Sequence, residues 1–139
     1  RMEEFNEAYG LARSQCNDQI AWALGIARVF GLRVEETTGL YRGQLVDTLK
    51  NGYLSLTKTK GGIPRDVPIN YPPHTRRLFE KIVTTVDTPL IFIGHGRTQK
   101  QAITRIHNWI YTHRNKFSTN DQRKLTYHGI RYTYRKWDV

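Results

Sequence analysis

The stretch DQIAWALGIARVFGLRVEE, residues 18–36, decides the fold of this 139-residue chain. Its first thirteen residues are apolar on nearly every side of a helical wheel, which predicts a central core helix over residues 18–30. Asn17 or Asp18 can cap the first turn of this helix. Gly31 stands where a left-handed residue ends a helix. The rest of the domain is therefore expected to pack around residues 18–30.

Shorter elements flank the core helix on both sides. In chain order, the other predicted elements are a helix over residues 2–13, a short helix over 33–38, strands over 53–57 and 66–69 joined by a glycine-containing turn, helices over 72–86 and 98–113, and a helical segment over 126–136. An Asn51-Gly52 turn precedes the first strand, and Thr98 with Gln101 forms a capping-box pattern. The predicted fold class is α+β, mainly α-helical with a small antiparallel β-sheet.

Length and composition fit one domain. With 139 residues, 38% of them hydrophobic, the chain can bury one core but is too short for two. Because no apolar run approaches the roughly 18 residues that cross a bilayer, no membrane partner is expected. The single cysteine, Cys16, excludes an internal disulfide and fits a reducing, cytoplasmic compartment. We expect this thiol to be a small buried side chain.

The net charge of +10 is concentrated toward the C-terminal end. Residues 1–47 carry 5 basic and 7 acidic side chains, residues 48–96 carry 7 and 3, and residues 97–139 carry 10 and 2. A strongly basic C-terminal third of the chain, together with a nearly neutral N-terminal third, indicates a polyanionic partner, most often nucleic acid. The alternative is a basic, solvated surface without a partner.

Common enzyme motifs are absent from the sequence. It contains no GxxxxGK[ST], HExxH or GxSxG pattern, which excludes the nucleotide-binding loop, the zinc-protease helix and the hydrolase elbow. The five histidines lack paired metal-ligand spacing, so neither a metal nor another cofactor is expected. Cys16 is not expected to act as a nucleophile.

Basic residues beside the predicted elements are the remaining candidates for chemistry. Arg33 starts a short helix with Glu36 one turn later, Lys60 lies in the turn between two strands, and His128 and Arg131 share a helix face. Arginines can clamp phosphate oxygens, while lysine and histidine can transfer protons. This combination would stabilise a pentacoordinate phosphate without a metal. Taken singly, each residue could instead be an ordinary surface or turn residue.

Three segments in order resemble the tyrosine recombinases, the phage-integrase family. GLRVEETTGL at residues 31–40 resembles the first box of that family, an apolar helix followed by GLR and a Glu. KGGIPRDVPI at residues 60–69 is similar to the β-hairpin lysine segment KGxxxRxVPL. LTYHGIRYTY at residues 125–134 is similar to the HxLRHTFA box. The resemblance extends over about residues 17–134 and implies the tyrosine-recombinase catalytic core as the fold.

The resemblance implies a role for each candidate residue. Arg33 and Arg131 would grip the scissile phosphate, Lys60 would protonate the 5′ oxygen, and His128 would assist acid–base transfer. Glu36 would support the site by orienting the arginine region. Members of the family recombine or integrate double-stranded DNA through a 3′-phosphotyrosyl intermediate, without metal or ATP, as tetramers on paired sites. We expect a bacterial protein of the nucleoid, encoded by a phage, another mobile element or a chromosome.

The sequence departs from the family pattern at its C-terminal end. Tyr132 stands where the family usually has His. We find neither the second His or Trp box nor a nucleophilic Tyr, because Tyr132 and Tyr134 follow Arg131 too closely. We therefore expect residues 1–139 to be a catalytic-domain fragment, without the nucleophile and without the N-terminal core-binding domain, that binds DNA but is inactive alone.

Two other functions fit the same residues. The chain could be a DNA-binding remnant or regulator that has lost catalysis, and a downstream box with a Tyr would favour the enzyme instead. It could also be an RNA-binding or ribonuclease domain. That function predicts exposed aromatic platforms for unstacked bases.

Overall fold

The computed structural model describes residues 2–56, 64–69, 72–93, 97–113, 116, 126, 127 and 130. Within these residues, helices alternate with one small sheet. In chain order the elements are α1 (Met2–Ser14), α2 (Asp18–Phe30), α3 (Val34–Thr38), α4 (Arg42–Asn51), β1 (Tyr53–Leu56), β2 (Arg65–Pro68), α5 (Pro72–Thr85) and α6 (Gln99–His113). The predicted α+β class, mainly helical with a small antiparallel sheet, is confirmed.

Helix α2 forms the centre of the core, as its sequence predicts. Every residue from Ile20 to Phe30 is buried, and α2 contacts α1, α3, α5 and α6. The helix ends at Gly31, whose φ of 65° and ψ of 31° lie in the left-handed region. Because glycine adopts this conformation without a side-chain clash, the chain can turn directly from α2 into α3.

Helix α4 was not predicted from the sequence. Only Leu45 and Thr48 of its ten residues are buried, so its apolar stripe is too narrow to be read as a helical pattern. The predicted Asn51-Gly52 turn is instead the end of this helix, with Gly52 left-handed at a φ of 83°. Arg42 joins α4 to α5, because its side chain donates to the Val83 and Val86 carbonyls at 2.9–3.1 Å.

Strands β1 and β2 form a two-stranded antiparallel sheet, as predicted. Tyr53 pairs with Pro68 at one end and Leu56 with Arg65 at the other. Leu54, Leu56 and Val67 face the core. The turn that contains Lys60, residues 57–63, lies outside the described residues.

Helices α5 and α6 cover two further sides of α2. Phe79 of α5 is fully buried and stacks on Phe30 of α2, with 5.3 Å between ring centroids. Helix α6 begins with the predicted capping box, since the Thr98 amide donates to the Gln101 side chain and the Gln101 amide donates to Thr98 Oγ1. These contacts confirm both predicted helices. The predicted helix over 126–136 lies largely outside the described residues.

The prediction that Cys16 is buried is wrong. Cys16 is exposed and has a φ of 55° in the turn between α1 and α2. Its amide donates to the Arg13 carbonyl at 3.0 Å, while the Asn17 amide donates to the Ala12 carbonyl at 2.9 Å. This helix-ending turn reverses the chain at residue 16 and directs its side chain to solvent.

The described helices carry no membrane-crossing segment. None of them is both long enough and apolar enough to traverse a bilayer.

Candidate functional site

Arg33 lies at the junction of α2 and α3. Gly31 ends α2, Leu32 anchors the junction by complete burial, and Arg33 takes the extended conformation of an N-cap residue, with φ −69° and ψ 157°. Its backbone amide donates to Glu36 Oε1 at 2.8 Å. The side chain is 35% exposed. A rigid junction therefore holds the Arg33 backbone while its guanidinium reaches the surface.

Glu36 is a buried carboxylate between two arginines. Its side chain is only 3% exposed. Oε1 accepts the Arg33 amide and also the Nη2 of Arg65, at 3.1 Å. Oε2 lies 4.0 Å from Arg33 Nη1 and accepts no hydrogen bond in the described part of the chain. Glu36 therefore contacts Arg33 through the Arg33 amide, and Arg65 is the closer of the two guanidinium groups.

Arg65 connects the β-hairpin to α3. It is the first residue of β2, opposite Leu56 of β1, and its guanidinium crosses to Glu36. The hairpin turn that carries Lys60 starts directly after Leu56. Lys60 itself lies outside the described residues. The base of its hairpin, however, is fixed to the helix that begins beside Arg33.

A second contact connects α3 to the C-terminal segment. Thr37 and Tyr127 share a side-chain hydrogen bond between their hydroxyls, and both residues are buried. Tyr127 directly precedes His128 in the sequence. His128 and Arg131 lie outside the described residues, but the residue next to His128 is attached to α3.

A third contact connects α3 to the start of α6. The Nε2 of Gln99 donates to the Glu35 carbonyl at 2.8 Å and to Thr38 Oγ1 at 3.2 Å. Helix α3 therefore contacts three elements: the hairpin through Glu36, the C-terminal segment through Thr37, and α6 through Glu35 and Thr38.

Sequence reasoning missed the residues that make these contacts. Arg65 is part of the KGxxxRxVPL pattern, and its position there was the available signal, but no partner could be assigned. Thr37 and Tyr127 carry no pattern that would predict their hydrogen bond. Tertiary contacts of this kind depend on packing and not on local spacing.

The described residues give no indication of a metal centre. No three His, Cys, Asp or Glu side chains within the described ranges lie close enough together to hold an ion. The charged side chains that the structure describes at the site are instead those of Arg33, Arg65 and Glu36, and this described group has a net excess of one cation. Such a group suits an anion better than a metal.

Comparison with known proteins identifies the family. The sequence matches the family model described as Integrase over residues 2–137. The chain belongs to the integrase family. No curated protein sequence matches this integrase.

Solved recombinase structures share the integrase fold. XerA recombinase superimposes with a TM-score of 0.67 and 17% identity, over 96% of this chain and 46% of that one. A lambda integrase dimer bound to a COC′ core site superimposes with a TM-score of 0.66 and 17% identity, over 96% of this chain and 49% of that one. Tn1549 transposon integrase in complex with transposon right end DNA superimposes with a TM-score of 0.62 and 15% identity, over 93% of this chain and 49% of that one. The integrase chain spans about half the length of each, and its tyrosine-recombinase core fold is confirmed.

Proposed function

We propose that this integrase chain forms the phosphate-binding part of a centre that cuts and rejoins DNA strands during site-specific recombination or integration. Arg33 and Arg131 grip the scissile phosphate, and Glu36 holds the Arg33 junction in place. Lys60 acts as general acid and His128 assists proton transfer. The observation that carries this proposal is that α3 contacts both the hairpin of Lys60 and the residue before His128.

The proposed chemistry needs charge and proton transfer at one phosphorus atom. A tyrosine hydroxyl attacks the phosphorus and gives up its proton in a transfer that His128 assists, and negative charge builds on the non-bridging oxygens. Arg33 and Arg131 stabilise that charge through forked hydrogen bonds. The bond to the 5′ oxygen breaks, and Lys60 gives that oxygen a proton. A 3′-phosphotyrosyl bond conserves the energy of the broken phosphodiester until the reverse attack rejoins the strand.

Duplex DNA is the proposed partner. The basic charge of the chain, with 10 of its 22 Lys and Arg residues after residue 96, matches a polyanion. Among the described residues of that region, Arg97, Lys100 and Lys116 are exposed. Two of the structurally similar integrases were solved with DNA. We further propose assembly as a tetramer on paired sites, in the nucleoid of a bacterial cell.

We propose that the nucleophilic tyrosine and a core-binding domain belong to parts of a longer protein. The comparison structures are about twice as long as this chain, which leaves room for both. The catalytic-domain fragment then binds DNA without cutting it. A remnant that has lost catalysis in every form of the protein is the alternative.

Salt-dependent binding tests the DNA partner. The affinity for a duplex oligonucleotide should fall steeply with salt, with a slope of about −0.9 for each phosphate that is neutralised. Binding that does not respond to salt would contradict the proposal. Single-stranded RNA of equal length serves as the competitor, and preference for it would favour the RNA-binding alternative.

A nicked suicide substrate tests the chemistry. Strand cleavage on such a substrate cannot be reversed, so any phosphotyrosyl adduct accumulates. The 139-residue chain should form no adduct, whereas a longer protein that contains this chain and a C-terminal tyrosine should form one that Lys60→Ala reduces. An adduct with the 139-residue chain would mean that one of its own tyrosines attacks, and no adduct with the longer protein would favour the remnant.

A further inference from the structure

We infer that Arg65 is a positioning residue that keeps the Arg33 guanidinium available for a DNA phosphate. Arg65 does so by occupying the carboxylate of Glu36. This inference rests on the proposed function, because it assigns Arg33 a phosphate to bind. It adds to that function a role for Arg65, which affects the phosphate through Glu36 and Arg33.

The buried Glu36 carboxylate requires a cation. A carboxylate that is 3% exposed has lost most of its hydration, and an unpaired charge in that position is strongly unfavourable. The Arg33 amide supplies one hydrogen bond to Oε1. Among the residues that the structure describes, the charged partner within hydrogen-bond distance is Arg65, with its Nη2 at 3.1 Å.

Arg33 stands apart from the same carboxylate. Its Nη1 lies 4.0 Å from Oε2, which is too long for a hydrogen bond. Within the described residues the Arg33 guanidinium donates no hydrogen bond, and 35% of its side chain is exposed. As far as the described residues go, its five donors are therefore available for the bidentate contact that phosphate favours.

Loss of Arg65 would change the partner of Glu36. The carboxylate would retain one backbone donor and, among the described residues, would have Arg33 as the nearest cation. A small side-chain rotation would close the 4.0 Å gap and join Arg33 to Glu36 as a direct ion pair. A guanidinium held in this way has fewer donors for DNA. Arg65 thus affects DNA binding without touching DNA.

A double-mutant cycle on DNA affinity tests this inference. Arg33→Gln, Arg65→Gln and the double variant are compared for binding to the same duplex oligonucleotide. Each single variant should bind about threefold to tenfold more weakly and show a salt slope that is smaller by about 0.9. In the Arg33→Gln background, Arg65→Gln should add less than about a twofold loss, because its effect passes through Arg33.

Two control variants separate positioning from charge and from folding. Arg77→Gln removes the same charge from an exposed residue whose side chain donates to its own helix, and it sets the effect of charge alone. Arg65→Lys keeps a cation and a donor for Glu36. Its DNA affinity should lie within about twofold of that of the parent. Arg65→Gln should lose more DNA affinity than Arg77→Gln.

Three results would overturn the inference while leaving the proposed function intact. The first is that Arg65→Gln binds like Arg77→Gln although Arg33→Gln binds weakly. The second is that the two losses multiply in the double variant, which would indicate a direct DNA contact by Arg65. The third is that Arg65→Lys fails to restore binding in a folded protein. If Arg33→Gln itself leaves the affinity and the salt slope unchanged, the proposed function fails as well.

Discussion

Tyr127 and Thr37 share a buried hydrogen bond although they are 90 residues apart in the sequence. Thr37 belongs to the helix that begins next to Arg33, and Tyr127 precedes His128. The bond therefore couples the first arginine box to the C-terminal box through two side chains of the core. Neither hydroxyl is needed for the proposed chemistry, so their role can be measured separately from DNA binding.

Removing one hydroxyl from this pair should destabilise the fold. Thr37→Val and Tyr127→Phe each preserve the shape of the side chain but leave a buried hydroxyl without this partner. We expect each to lower the free energy of unfolding by about 1–3 kcal/mol. The free energy of unfolding should fall less in the double variant than the sum of the two single losses, because the double variant leaves neither hydroxyl behind. Urea denaturation of the four proteins measures the coupling, and strictly additive losses would contradict it.

Gly43 within α4 and Gly52 directly after it should respond oppositely to alanine. Gly52 ends the helix with a φ of 83°, a conformation that costs alanine about 1–2 kcal/mol. Gly43 lies inside the helix with no atom within 4 Å of an added Cβ. Alanine there should stabilise the protein by roughly 0.5 kcal/mol because it restricts the unfolded chain. Thermal unfolding distinguishes the two, and equal effects at both sites would count against the helix boundary at Gly52.

The exposed thiol of Cys16 should react in the folded protein. A disulfide reagent such as Ellman's reagent should modify one thiol per chain, and its rates with and without denaturant should differ by less than about tenfold. Cys16→Gly should unfold at an equal or higher urea concentration, because the residue has a φ of 55° and glycine adopts this conformation without a side-chain clash. A thiol that reacts only after unfolding would restore the original prediction of a buried cysteine.

Truncating Phe79 should be among the most damaging core changes. The side chain is fully buried and stacked on Phe30, so Phe79→Ala should cost about 3–5 kcal/mol. Tyr111 is 66% exposed and gives the matched aromatic control, for which Tyr111→Ala should cost less than about 0.5 kcal/mol. Similar losses for the two variants would be incompatible with the packing of α5 on α2.

Local patterns predict much of this fold, and the limits of prediction follow from the same physics. Helix α2, the left-handed Gly31 and the capping box of α6 all depend on neighbouring residues, and each is present as predicted. Helix α4 escaped prediction because it buries little apolar surface, so its sequence carries a weak period. Cys16 escaped because its exposure depends on how the turn after α1 closes.

The contacts of the candidate site also differ in whether their residues are neighbours in the sequence. Arg33 and Glu36 are three residues apart, and their contact follows from a helical spacing that is visible in the sequence. The partners that join α3 to other elements, Arg65 and Tyr127, are distant in sequence and follow from packing alone. Lys60, His128 and Arg131 remain predictions that solution measurements can test.

The most direct test is whether Arg33 and Arg131 hold the same DNA phosphate. Affinity for a duplex oligonucleotide is measured against salt for the parent chain, for Arg33→Gln, for Arg131→Gln and for the double variant. We predict that each single change lowers the salt slope by at most about 0.9 and that the double change also lowers it by about 0.9, because the two arginines neutralise one phosphate, and that the combined loss of affinity differs from the product of the single losses by at least about threefold. Unchanged salt slopes, or losses that simply multiply, would contradict a shared phosphate site.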